Sequence, residues 1–232
     1  MSNSRIRRTG AHVGPGTRLF ARLVAKISGW RIDGEFPDVK KAIFIASPHT
    51  SNWDGFFMLM CAWHMGVRLS WITKHTMFRF PIGWFIRWAG GVPVDRRANH
   101  NTVDQIADQF SEADELYLAV APSGTRARRG HWKSGFYHMS RAAKVPLILG
   151  YLDYKNKRGG CGPVIHPTGD IPADMDRIRA FYSDIEGAHP ELHTRVRLPA
   201  EDRIEAQAEA EALSDEAATG AVQGTKGERA AM

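Results

Sequence analysis

"KKAIFIASPHTSNWDGFF", residues 40–57, sets an apolar run, a proline, a histidine and an acid side by side. The short run through Ala42, Ile43, Phe44 and Ile45 is closed by Pro48, and it reads as a buried strand opening into a loop. Ser51 then suits a helix start, with Asn52, Trp53 and Asp54 in the first turn. On one continuous helix, five positions would set His49 and Asp54 about 140° apart. With His49 in the loop and Asp54 in the first turn, the carboxylate can instead fold back onto the imidazole. An acid at that end also complements the helix dipole.

Similar apolar runs recur at "LSWIT" (69–73), "LYLAVA" (116–121) and "VPLILGYL" (145–152), separated by helical patterns near 54–65, 99–112 and 132–143. Strands alternating with helices predict an α/β fold, a single layered domain with a mixed, mostly parallel sheet flanked by helices. Upstream, "GTRLFARLVAKISGW" (16–30) sets Leu19, Phe20, Leu23, Val24 and Ile27 on one side of a helix and Arg18, Arg22 and Lys26 on the other. Such a basic amphipathic helix either covers one side of a core or anchors at an interface. The chain thus divides into a basic segment (1–16), a folded domain (17–204) and an Ala/Glu-rich tail (205–232). The tail has almost no large apolar residue and is expected to fray, with one helical stretch at its start.

A hydrophobic share of 43% in 232 residues supports one sizeable core. The formal charge of +6 favours an anionic partner: nucleic acid, an acidic carrier, a phosphorylated metabolite or an anionic membrane. The two cysteines are Cys61 in an apolar helical run and Cys161 in a glycine-rich turn, with no His/Cys cluster beside either. That pattern fits a reducing compartment and no structural metal. The basic start "MSNSRIRRTG" leads into no apolar core with a cleavage site, so no secretory signal is expected. No window reaches the roughly 18–20 apolar residues of a spanning helix, so a membrane would be met from one side.

Two further stretches carry chemistry. "GGVPVDRR" (90–97) and "SGTRARRG" (123–130) combine glycines, a threonine and arginines. Glycine lets backbone amides approach an anion, threonine offers a hydroxyl, and arginine presents a forked donor set matching phosphate oxygens. Arg126, enclosed by "APSGT" straight after a buried strand, is the stronger candidate; Arg128 and Arg129 read as solvated. A histidine held by a carboxylate is what alcohol activation needs, since a hydroxyl is a poor nucleophile until a base takes its proton. The plain alternative is a solvated loop histidine and a helix-capping aspartate.

In this order the pieces resemble the glycerophospholipid acyltransferase family, best known for the 1-acylglycerol-3-phosphate acyltransferases. The resemblance runs from about residue 40 to 155 and rests on four blocks: "HTSNWD" (His-x4-Asp), "GGVPVDR", "SGTR" and "KVPLILG". It implies a glycerolipid-acyltransferase-like fold, with His49 as general base and Asp54 orienting it. Arg96, Gly124, Thr125 and Arg126 would hold the acceptor's anionic headgroup, and Pro146 would help shape the groove. The hydroxyl would attack an acyl thioester, acyl-coenzyme A or acyl carrier protein, with no cofactor, metal or acyl-enzyme.

Ser123 departs from the family pattern, which has glutamate there. The serine signals a different acceptor, weakens activity, or is itself a nucleophile with His49 and Asp54. The last option lacks the Gly-x-Ser-x-Gly elbow, for the chain reads Val120, Ala121, Pro122, Ser123, Gly124.

The segment "WITKHTMFRFPIGWFIRWAGG" (71–91) mixes Trp71, Trp84 and Trp88 with Lys74, Arg79 and Arg87. That mixture suits a membrane interface or an acyl groove, although aromatics can equally be core. Lys74 is a further candidate for the acceptor's charge. The expected protein is peripheral, on the cytoplasmic face of an anionic membrane, and takes a lysophospholipid acceptor and an acyl-coenzyme A or acyl carrier protein donor. Nucleic acid is not an expected partner, because the aromatics cluster in an apolar stretch instead of interleaving with arginines. The competing classes are a non-catalytic lipid or anion-binding protein and an acyl-ester hydrolase using Ser123.

Overall fold

The computed structural model describes residues 12–74, 82–88, 90–94 and 102–229. The opening apolar run is strand β2 (Lys41–Ala46), which lies inside a sheet of seven strands among the described residues. Ala42 and Phe44 share a core cluster with Ala62 and Met58 of helix α2 (Trp53–His64). Ile43 and Ile45, pointing to the opposite face by the two-residue strand period, are fully buried as well. A strand covered on both faces explains a continuous apolar run where a half-exposed strand would alternate.

The other elements of the sheet layer are β1 (Arg31–Asp33), β3 (Ser70–Lys74), α3 (Ile82–Trp88), β4 (Gly91–Val94), α4 (Thr102–Glu112), β5 (Leu116–Val120), α5 (Gly135–Ala143), β6 (Leu147–Asp153), β7 (Arg158–Ile165) and α6 (Ile171–Tyr182), with α1 (Pro15–Ser28) ahead of them. The strand order is β1-β7-β6-β2-β5-β3-β4. Strands β6, β2, β5, β3 and β4 run parallel, β7 is antiparallel to β6, and β1 is parallel to β7. The order reverses around β2, with β5, β3 and β4 on one side and β6 on the other. In open sheets of this kind the crevice beyond the carboxyl ends of the strands at such a point is where ligands bind.

One expectation is corrected, and two parts of the chain take a definite form. Cys161 lies within strand β7, not in a turn. The glycines around it serve close packing: a Cβ on Gly160 would sit 2.4 Å from the Asp33 carbonyl oxygen of β1, and one on Gly162 would sit 2.2 Å from the Phe181 ring. α1, left open between covering a core and anchoring at an interface, turns its small residues inward. Ala21 and Ala25 are buried, Ala21 against Leu59, Met60 and Trp63 of α2, and Arg18 donates from Nε to the His64 carbonyl at 3.0 Å. Leu19, Phe20, Leu23 and Ile27 are left 52–77% exposed. The helical period was legible, but which face is buried follows from how closely α1 approaches α2, and only alanines fit there.

The chain separates into two compact units, Met1–Arg197 and Leu198–Met232. The tail expected to fray from 205 is carried by helix α7 (Pro199–Arg229). Its Ala/Glu composition has high intrinsic helix propensity, and Glu201 accepts the Leu198 amide at 2.7 Å at its start. Among the described residues no helix is long and apolar enough to cross a membrane.

Candidate active site

The turn from β2 into α2 brings His49 and Asp54 together. His49 Nδ1 lies 3.2 Å from Asp54 Oδ2. The backbone amides of Thr50 and Ser51 donate to the same oxygen at 2.7 and 2.8 Å, and Ser51 Oγ accepts the Trp53 amide at 3.2 Å. The chain therefore wraps around the carboxylate as the helix begins; the two donating amides precede the N-cap, which is Asn52 and not the expected Ser51. Asp54 is buried, whereas the His49 side chain retains 26% exposure.

The other carboxylate oxygen is taken as well. Tyr154, the residue directly after β6, donates from its hydroxyl to Asp54 Oδ1 at 2.7 Å. Burial by itself would raise the Asp54 carboxyl, but the bonds from His49, the Ser51 amide, Tyr154 and the Thr50 amide outweigh it and hold the group below the usual carboxylate range. With Nδ1 facing a carboxylate held below the usual range, the neutral imidazole carries its proton on Nδ1 and its lone pair on Nε2. Nothing in the sequence pattern distinguished Tyr154 from other aromatics; its only signal is its place at the carboxyl end of a parallel strand.

A cavity of about 1580 Å³ opens beside this pair. It exceeds the roughly 300–1,000 Å³ of ordinary small-molecule pockets. Its walls are largely apolar, with Phe44, Met58, Leu59, Trp63, Trp71, Phe136 and Leu152 among them, and His49, Asp54, Gly124, Thr125 and Arg126 at its polar end. Phe20, Phe56 and Trp88 line it while also being 39–52% exposed, so the cavity meets solvent among apolar side chains. Trp84, also on α3, is 72% exposed, whereas Ile86 of the same helix is buried.

The loop after β5 supplies the cationic part. Gly124 has φ +64, a left-handed conformation that glycine adopts without strain. The Lys133 side chain lies across it: a Cβ on Gly124 would sit 2.9 Å from Lys133 Cε and 3.2 Å from Nζ. Lys133 lines the cavity with Arg126, and its amide donates to the Pro122 carbonyl at 2.9 Å. Lys133 was missed because "HWKSGFY" reads as the start of a helix. Ser123 is buried and donates from Oγ to the Thr125 carbonyl at 2.8 Å, so its proton serves the turn.

The remaining expected site residues divide. Lys74 closes β3, at the same end of the parallel strands as His49. Arg96 lies outside the described residues. Pro146, expected to shape the groove, is buried just before β6, where its carbonyl accepts the Ile43 amide at 3.0 Å. That is the amino end of the parallel strands, opposite His49, and Pro146 is not among the cavity-lining residues. A proline leading into a strand gives up no ladder bond, which accounts for it structurally. Among the described residues no group of three or more His, Cys, Asp or Glu could hold a metal ion.

Residues 31–149 match the model of a protein family described as Acyltransferase. Among solved structures the chain is similar to the 1-acyl-sn-glycerophosphate (LPA) acyltransferase, PlsC, from Thermotoga maritima, at 14% identity over 73% of this chain and 75% of that one, with a TM-score of 0.48. No curated protein matches it in sequence.

Proposed function

The chain belongs to the acyltransferase family, and from that premise we propose that it moves a fatty acyl group from a thioester, acyl-coenzyme A or acyl carrier protein, to the hydroxyl of a lysophospholipid such as 1-acylglycerol-3-phosphate. The observation that carries this reading is a histidine braced by a charged, buried aspartate at the polar end of a large apolar cavity. His49 Nε2 takes the proton of the acceptor hydroxyl while its oxygen attacks the thioester carbonyl carbon. The tetrahedral adduct collapses, the carbon–sulfur bond breaks, and the leaving sulfur receives the proton from His49. Asp54 stays charged throughout and supports the imidazolium. No cofactor, metal or acyl-enzyme enters this sequence.

Arg126 and Lys133, with the Gly124–Thr125 turn, hold the acceptor's anionic headgroup next to His49, while the apolar walls take acyl chain. Lys74, at the end of β3, and Arg96, from the family resemblance of its block, are assigned to the same headgroup. The hydrolase alternative is disfavoured by the Ser123 hydroxyl, which donates to the Thr125 carbonyl.

The protein works as a peripheral enzyme on the cytoplasmic face of an anionic membrane. Supporting this are the outward apolar face of α1, the exposed Trp84 and Trp88, and the net charge of +6. Each large apolar side chain that leaves water is worth roughly 1.5–3 kcal/mol when fully buried, so four on one helix make a substantial anchor.

The test is acyl transfer from long-chain acyl-coenzyme A, and separately from acyl carrier protein, to lysophosphatidic acid in vesicles containing anionic lipid. His49→Ala should abolish transfer, and the parent should sediment with the vesicles at low salt. Transfer that survives His49→Ala would remove the proposed base; failure to sediment would remove the membrane reading.

A further inference from the structure

We propose that Tyr154 is a positioning residue for the base, acting through Asp54. The two oxygens of Asp54 have different partners. Oδ2 receives His49 Nδ1 and the amides of Thr50 and Ser51, and Oδ1 receives the Tyr154 hydroxyl at 2.7 Å. A carboxylate held on one oxygen can still swing about its Cβ–Cγ bond; one held on both cannot, and the oxygen facing His49 stays in line.

The tyrosine is itself held from three sides. Its ring meets Trp30 edge-on with centroids 5.0 Å apart and Phe57 at 6.2 Å, while Trp30 and Phe57 stack on each other at 4.6 Å. Its amide donates to the Glu186 carbonyl at 2.9 Å. The tight turn after it is fixed by Asn156 Nδ2 donating to Asp153 Oδ2 at 2.7 Å. The hydroxyl is thus delivered to Asp54 from the end of β6, with Trp30 and Phe57 packing the ring and Ser51 of the His49 loop also bonded to the hydroxyl.

The bond also has an electrostatic consequence. Burial, then the bond to and charge of Asp54, pushes the phenol of Tyr154 well above its ordinary range, so it stays protonated and remains a donor. A donor on Oδ1 draws charge from the carboxylate and lowers its basicity. A less basic Asp54 leaves the transferred proton on His49, where it must be for delivery to the departing sulfur. This role rests on the reading of His49 as base.

Tyr154→Phe keeps the ring packing and removes the hydroxyl, with its bonds to Asp54 and Ser51. With long-chain acyl-coenzyme A and lysophosphatidic acid, kcat should fall about tenfold while KM for both substrates stays within about twofold, the size of one lost charge-assisted hydrogen bond felt in turnover. Because the bond draws charge from the Asp54 carboxylate, its removal lets that carboxylate hold the His49 imidazolium more firmly, and the loss of rate on acidification should begin at higher pH. A purely structural role would lower the active fraction and leave that limb in place. Should Tyr154→Phe keep the parent's kcat and acid limb while His49→Ala is dead, the proposal fails and the base survives. Independently of turnover, a carbon-13 NMR titration of the Asp54 carboxyl, assigned by its loss in Asp54→Asn, should move to higher pH in folded Tyr154→Phe; an unmoved titration overturns the proposal.

Discussion

In the loop after β2, both oxygens of Asp54 are occupied by donors from the protein itself. In the loop after β5, Arg126 and Lys133 are exposed cavity-lining cations that form no ion pair among the described residues. The first loop is satisfied within the protein; the second is left open, and under the proposed function the acceptor completes it. Groups that must act as one unit through a proton transfer gain from being held beforehand, since reorganisation during the reaction is then avoided. Cations that discriminate among acceptors gain from being unsatisfied, because the ligand's charge supplies what they lack. Asp54 is the one carboxylate among the described cavity-lining residues, and it is already fully engaged, so the charge left for a ligand is positive.

The sharpest way to break the contrast is Asp54→Asn. An amide in that pocket turns one donor group toward partners that are all donors, and the tautomer of His49 is no longer set. Loss of kcat by about 10² to 10⁴ is expected, as for removal of a general-base system, with the variant folded but about 1–3 kcal/mol less stable from the unsatisfied buried donors. Single-turnover kinetics and thermal melting read the two effects separately. A rate near that of the parent would mean that the first loop is structural.

The second loop should respond in KM. Arg126→Met removes a forked donor; a hydrogen bond to a charged group is worth about 1.5–3 kcal/mol, so KM for lysophosphatidic acid should rise about tenfold to a hundredfold. KM for the acyl donor should hold. Lys133→Met should be milder, up to about fivefold, in line with the roughly 1 kcal/mol ceiling of exposed ion pairs, and its effect should shrink in high salt. Equal losses in kcat from these variants would erase the distinction between the loops.

What the sequence discloses follows the same division. The His49–Asp54 loop is legible because its parts are local: an apolar run, a proline and a polar helix start within fifteen positions accompany both the strand and the return of the carboxylate, although the N-cap is Asn52 and not Ser51. Strands β2, β5 and β6 are legible because burial on both faces writes itself as unbroken apolar runs. β7 is not, since its glycines answer to Asp33 and Phe181 from distant parts of the chain. The burial of α1 through Ala21 and Ala25 depends on the partner surface of α2, which periodicity does not contain. Tyr154 and Lys133 escape for one reason: each reaches its site across the fold, Tyr154 to Asp54 and Lys133 over Gly124, with no pattern around it. Pro146 shows the reverse error, a residue beside a recognisable block that sits at the wrong end of the strand.

The smallest expected effect bears on the residue that departs from its family. Ser123 is 7% exposed, and its hydroxyl closes the turn onto the Thr125 carbonyl, leaving the neighbouring cations without a negative charge from this position. Ser123→Glu places a carboxylate one residue before Gly124, within reach of the lysine that lies across it. The new acid competes with the acceptor for Lys133, so KM for lysophosphatidic acid should rise roughly threefold with kcat held, a change of the size exposed ion pairs produce. In a Lys133→Met background the same substitution should have almost no effect on KM, because the competing pair is gone; a double-mutant cycle isolates that coupling. A Ser123→Glu enzyme that turns over faster than the parent would reverse the assignment. The serine would then mark a weakened loop, and the second loop, like the first, would depend on a carboxylate of its own.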